Sequence, residues 1–134
     1  MAVLKNIFGE VLLDRPDLED FRGFDFSGMN LDSGVFSGMD LTGAEFVDAD
    51  LSYADFTDAN LTRVVFLRAN LTHACFAWAT LIDVDFSQAD CYAADFFLSS
   101  RSGVDFTDAD LSESSIRHLS GGGSGGTHYV IDYQ

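Results

Sequence analysis

The chain has 134 residues, a hydrophobic fraction of 47% and a formal net charge of −15 from 22 acids and 7 bases. That apolar content supplies a core and excludes wholesale disorder, and no apolar run of about eighteen residues is present to span a membrane as a helix. The charge disfavours direct binding of DNA, RNA or anionic lipid and favours a basic protein, or the basic site of a nucleic-acid enzyme, as partner.

The N-terminal segment MAVLKNIFGEVLLDRPD carries acids where a signal peptide needs an uninterrupted apolar stretch, so a cytoplasmic location is the expectation. Within it, Val3, Leu4, Ile7, Phe8, Val11 and Leu12 recur at helical spacing. The spacing predicts a short helix over 3–14, ended by Pro16. A helix within residues 1–18 would cap the first coil of a solenoid, which needs a cover over its open end.

From residue 19 to 118 every fifth residue is a register mark. Phe21, Phe26, Leu31, Phe36, Leu41, Phe46, Leu51, Phe56, Leu61 and Phe66 open the series, and it runs on to Ile116 with Cys91 and Arg101 as its exceptions. Two residues before most marks stands a small apolar residue, such as Ala44, Ala54, Val64, Ala74, Val84 or Ala94. A helix smears a period of five around its circumference, and a plain strand needs a period of two. The pattern therefore needs a chain that turns after every repeat and points its mark inward each time. Phe and Leu alternate, and Val64, Val84 and Val104 recur at twenty. Stacked at that period, the marks form four ladders: Phe on two opposite faces of a square coil and Leu on the other two. About five coils spaced by about 4.8 Å give a rod about 25 Å long.

Residues 119–134 break the pattern. Gly121 to Gly126 reads GGGSGG, a flexible linker by composition, followed by the β-prone THYVIDYQ. The linker reads equally as an engineered junction to a grafted peptide and as a native glycine-rich tail.

Stretches such as ADLSYADFTDANL (49–61) and ADCYAADF (89–96) resemble the pentapeptide-repeat family, whose unit is A-[D/N]-[L/F]-x-x. The resemblance covers about three quarters of the chain. It implies an all-β fold, a right-handed quadrilateral parallel β-helix, with the mark and the small residue inward and the other three positions outward. The family contains DNA-mimicking proteins that protect topoisomerases, regulators of cyanobacterial differentiation and many members of unknown role. It is largely non-enzymatic, so no catalysis is expected.

Departures from the repeat carry what functional signal there is. Phe24, Met29, Gly34 and Met39 replace the small residue in the first coil and are expected to pack on the N-terminal cap. Arg101 stands where Phe or Leu should be, between serines. An unpaired buried guanidinium is costly, so its face is expected to buckle and turn it to solvent. Asp or Asn immediately before the mark, as at Asp25, Asn30, Asp50, Asn60 and Asp90, suits side-chain-to-backbone hydrogen bonds at corners. Asp48, Asp58, Asp83, Asp108 and Glu113 occupy freer outward positions and are the candidates for a selected acidic surface.

Several outward positions are apolar instead: Ala77, Trp78, Ile82, Tyr92, Phe97 and Leu98, with Val47, Val65 and Leu67 as a weaker group. Stacking at twenty gathers Trp78, Phe97 and Leu98 into one patch. A contiguous exposed patch centred on Trp marks a protein partner, a second copy, or cover by the chain's own tail. Catalytic constellations, metal-ligand spacing and phosphate-binding glycine loops are absent, so neither cofactor nor metal is expected. His73 and Cys75 form only H-x-C, and Cys91 reads as a small core residue. Two cysteines are too few for a disulfide framework.

Overall fold

The computed structural model describes residues 1–116 and residues 130–131. No helix occurs among the described residues. The repeat is a solenoid of β-rungs, each rung bridged in parallel to the one twenty residues on. Four ladders result. Face 1 carries Asp25, Glu45, Val65, Asp85 and Asp105, and face 2 carries Asn30, Asp50, Asn70, Asp90 and Asp110. Face 3 carries Val35, Asp55, Cys75 and Asp95, and face 4 carries Asp40, Asn60 and Thr80, continued by Ser100.

The backbone explains the period. The mark donates its N–H to a carbonyl of the next coil, as Phe46 does to Val65 at 2.8 Å, and so does the residue two further on, as Asp48 does to Leu67 at 3.0 Å. The small residue closes the turn by donating to the preceding mark, as Ala54 does to Leu51 at 3.0 Å. The residue before the mark donates to the previous coil, as Val65 does to Ala44 at 3.1 Å. Backbone groups are thus satisfied between coils as in a sheet ladder. The corner requires one left-handed residue, and every fifth residue from Gly23 to Glu113 has a positive φ, including Tyr53 (60°), Trp78 (62°) and Leu98 (54°).

Inside, two columns of phenylalanine meet. Phe26, Phe46, Phe66, Phe86 and Phe106 stack at centroid distances between 4.6 and 5.1 Å. Phe36, Phe56, Phe76 and Phe96 stack on the opposite side, from 4.7 to 5.0 Å. The columns touch edge to face, as Phe66 and Phe76 do at 5.7 Å and 81°, the geometry that ring quadrupoles prefer. Leucines, with Phe21 and Cys91, fill the other two sides, and no polar or charged residue is fully buried among the described residues.

The N-terminal segment corrects the expectation of a helix. It forms a hairpin of β1 (Ala2–Asn6) and β2 (Val11–Arg15), and β1 also pairs antiparallel with β3 (Gly34–Val35). The alternation decides it: Ala2 and Leu4 are buried while Lys5 is exposed. The Asn6 carboxamide accepts from the N–H groups of Phe8 and Glu10, both at 3.0 Å, and Gly9 turns the chain at φ +82°. The cap is thus a strand laid along the first coil. Phe24, Met29 and Met39 pack against the core beneath it, and the Arg15 guanidinium lies 5.4 Å from the centre of the Phe24 ring. Gly34 has no room for a side chain, since a Cβ there would lie 2.9 Å from Phe36 Cε2 and 3.0 Å from the Leu31 carbonyl oxygen.

Arg101 is a second correction. Its face does not buckle. β4 (Thr80–Ile82) and β5 (Ser100–Ser102) pair in parallel with Leu81 opposite Arg101. The residue is half-buried, with Nε and Nη1 shielded from solvent. Backbone pairing holds the register whatever the side chain. At the far end, β6 (Val104–Asp105) on face 1 pairs antiparallel with β7 (Val130–Ile131). The remaining tail, including GGGSGG, lies outside the described residues.

Candidate interaction face

The corners decide which side chains reach solvent. Asx bonds shape them: the carboxylate or carboxamide before a mark accepts from the backbone N–H two residues on. Asp25 does so from Ser27 at 2.9 Å, Asp55 from Thr57 at 2.9 Å, Asn70 from Thr72 at 3.1 Å and Asp110 from Ser112 at 2.9 Å. Hydrogen bonds from Ser27 and Ser112 hold the Asp25 and Asp110 carboxyls below the ordinary aspartate range. Much of the negative charge is therefore corner chemistry.

The five freer acids do not assemble. Asp83 lies at the corner between faces 4 and 1, Asp48 and Asp108 between faces 1 and 2, Glu113 between faces 2 and 3, and Asp58 between faces 3 and 4. Asp48 is bound by Arg68 of the next coil at 2.8 and 3.1 Å, and that hydrogen bond lowers its pKa. The Asp83 carboxylate lies over Gly103, where a Cβ would have to push it aside.

The apolar residues do assemble, in part. Trp78 and Phe97 meet edge on, 6.5 Å between centroids, with Leu98 one coil after Trp78 in the same corner column. Trp78 is 57% exposed, Phe97 58% and Leu98 54%. Ala77 is half-buried. Tyr92 is exposed on the other side of face 3, edge on to His73 at 5.8 Å, and His73 stacks flat on Tyr53 at 4.9 Å. Tyr53 and His73 thus form a second aromatic corner beside face 3, and their shared column at twenty was its signal in the sequence. Ile82 is not in the group, since it lies across face 4 at the corner with face 1. Val47, Val65 and Leu67 are half-buried.

Between the two aromatic corners runs face 3, with Val35, Asp55, Cys75 and Asp95 outward. The Thr57 hydroxyl and the Cys75 Sγ lie 3.4 Å apart. The Asp95 carboxylate accepts from the Phe97 N–H and the Ser115 hydroxyl, both at 2.9 Å. Cys91 is buried, and burial pushes its thiol pKa up, as befits a core residue. No group of acids, histidines and cysteines able to hold a metal occurs among the described residues.

The family model for pentapeptide repeats matches residues 20–48, 49–88 and 74–113, with eight copies of the repeat. Among solved structures, the chain is similar to QnrB1, a plasmid-mediated fluoroquinolone resistance protein, at 24% identity and TM-score 0.61, over 70% of this chain and 49% of that one. It is also similar to a pentapeptide repeat protein from the thylakoid lumen of Arabidopsis thaliana, at 24% identity and TM-score 0.45, over 70% and 62% of the two chains. A third is HetL, involved in heterocyst differentiation regulation in Nostoc sp. strain PCC 7120, at 24% identity and TM-score 0.41, over 77% and 41%. The chain thus spans between about two fifths and three fifths of these proteins' lengths, and the likeness to QnrB1 is one of fold. No curated protein matches the chain. With the family model matching from residue 20 to residue 113, on a backbone that turns every five residues and bridges every twenty, the chain belongs to the pentapeptide-repeat family.

Proposed function

We propose that this chain is a non-enzymatic interaction module, a rigid right-handed β-helix of about five coils that presents the Trp78/Phe97/Leu98 corner to a protein partner, with the cytoplasm as its location. The observation that carries the reading is the contact between Trp78 and Phe97, both more than half exposed beside Leu98. Apolar side chains at a solvent-facing corner, gathered rather than scattered, have no role in the rod's own packing and suit an interface anchor. The corner's left-handed backbone adds weight, because glycine or aspartate would sit there at lower cost than Trp78 or Leu98. Light scattering and pull-down with wild type and Trp78→Asp/Phe97→Asp test the reading. Loss of a captured partner, or of a dimer mass, is the expected result. Unchanged mass together with unchanged partners rejects it.

The runner-up is an acidic DNA mimic acting on an enzyme such as a topoisomerase. The net charge of −15 favours it, while the scatter of Asp48, Asp58, Asp83, Asp108 and Glu113 over all four corners counts against it. A supercoiling assay without effect at micromolar protein rejects it. A role as carrier of a freely exposed THYVIDYQ is weakened by the pairing of Val130–Ile131 with Val104–Asp105. That pairing lies on face 1, opposite face 3, so it also argues against the described part of the tail as cover for Trp78.

A further inference from the structure

Charge is sorted around the coil, and the sorting names the partner. Among the described residues of the repeat, Arg22 and Arg63 lie at the corner between faces 4 and 1, Arg68 at the corner between faces 1 and 2, and Arg101 on face 4. Within the repeat, face 3 and its two corners hold no described Lys or Arg, and Lys5 of β1, paired with Val35, lies at the N-terminal edge of the face. They hold Asp32, Asp55, Asp58, Asp95 and Glu113 beside the aromatic groups of Tyr53, His73, Trp78, Tyr92 and Phe97. None of the ion pairs Arg15–Asp17, Arg22–Asp20 and Arg68–Asp48 takes up one of these carboxylates. Asp55, Asp58 and Asp95 thus lie beside exposed rings and away from the arginines of the repeat.

Resting on the interaction reading above, we infer that the occupant of face 3 is a basic segment of a partner protein, whose arginines lie on the Trp78 and Phe97 rings while Asp55, Asp58 and Asp95 balance their charge. A guanidinium suits this pairing of surfaces. It stacks on aromatic faces and accepts a planar carboxylate at its edge. A second copy of the chain does not suit it. A two-fold contact centred on Trp78 and Phe97 would set Asp55, Asp58 and Asp95 close to their own copies, while Lys5 stands apart at the N-terminal edge of the face.

Trp78 is the sole tryptophan of the chain, so its emission reads occupancy of this face directly. The full chain would be titrated with a short peptide of alternating arginine and alanine, and with its glutamate counterpart, at about 20 mM and about 500 mM salt. The arginine peptide should shift Trp78 emission saturably and bind about tenfold more weakly at high salt, and the glutamate peptide should not bind. Phe97→Ala, and separately Asp55→Asn/Asp58→Asn, should each weaken binding about tenfold. Asn can keep the corner bond of Asp55, so folding is spared. Asp85→Asn on face 1 should leave binding unchanged. No saturable shift, an equal response to the glutamate peptide, or an equal loss in Asp85→Asn overturns the inference. If the peptide fails but Trp78→Asp still abolishes a captured partner or a dimer, the face stands as an interface and the basic partner is rejected. If both fail, both readings fall.

Discussion

At the third position of each turn the backbone adopts a left-handed φ that most side chains resist, and the residues found there sort by purpose. Gly23, Gly28, Gly38, Gly43 and Gly103 meet the demand without strain, and Asp48, Asp58, Asp83 and Asp108 meet it as residues that tolerate this region. Trp78 and Leu98 do not. Trp78→Gly relieves the backbone and loses only the edge contact with Phe97, so unfolding in urea should place its stability within about 1 kcal/mol of wild type. A loss above about 2 kcal/mol would make Trp78 a structural residue instead. The corner acids give a second expectation. Asp25, Asp48 and Asp110 are depressed, by Ser27, Arg68 and Ser112 respectively. Each therefore stabilises the fold fully above the unfolded aspartate value of about 3.9 and loses that contribution as pH falls through its lower folded value. Carboxyl carbon shifts followed by NMR should show all three titrating below an ordinary aspartate. Arg68→Gln should move Asp48 back up while leaving Asp25 and Asp110 in place. The corner role of Asp and Asn was legible in the sequence because the interchange at a fixed position points to the shared side-chain oxygen. The fate of Arg101 was not, because the cost of burying a side chain says nothing of what holds its backbone. The ladder hydrogen bonds of β4 and β5 set the register before any side chain is weighed.

The elements are set by how the ladders cooperate. Each phenylalanine of the two columns touches ring neighbours along its column and across, and Phe66 stacks on both Phe46 and Phe86. Phe66→Ala should cost about 3–5 kcal/mol in chemical denaturation, because neighbours held by backbone rungs cannot collapse into the void. A cost below about 1 kcal/mol would contradict a rung-locked core. At the N-terminal edge, Gly34→Ala should destabilise by about 1–3 kcal/mol, since the new Cβ meets the Leu31 carbonyl oxygen, a backbone atom that cannot step aside. The hairpin is hidden in the sequence because Val3, Leu4, Ile7, Phe8, Val11 and Leu12 fit a helical stripe on spacing alone. What decides between helix and strand there is tertiary. The edge of the first coil offers unpaired backbone groups to β1, and Asn6 with Gly9 closes the turn. By contrast the repeat was readable almost to the residue, because its inward position recurs against a backbone that has one solution.

On the scale of the molecule, the fold makes a rod whose faces are chemically unlike. The arginines of the repeat gather on one half of the coil, and aromatic groups with carboxylates on the other. The period of twenty made Trp78, Phe97 and Leu98 legible as a patch. It also placed Tyr53 and His73 in one column without showing that Tyr92 would close on them, which depends on ring orientation at the corner. On the proposed reading, the Trp78/Phe97/Leu98 corner is where this rod meets another protein. It is tested most directly by a quantitative pull-down comparing wild type, Trp78→Asp/Phe97→Asp, and Arg68→Asp/Gln88→Asp at the corner between faces 1 and 2, each checked for folding by circular dichroism. The specific partners held by wild type should be lost in the first variant and kept in the second. Partners retained equally by both would contradict it.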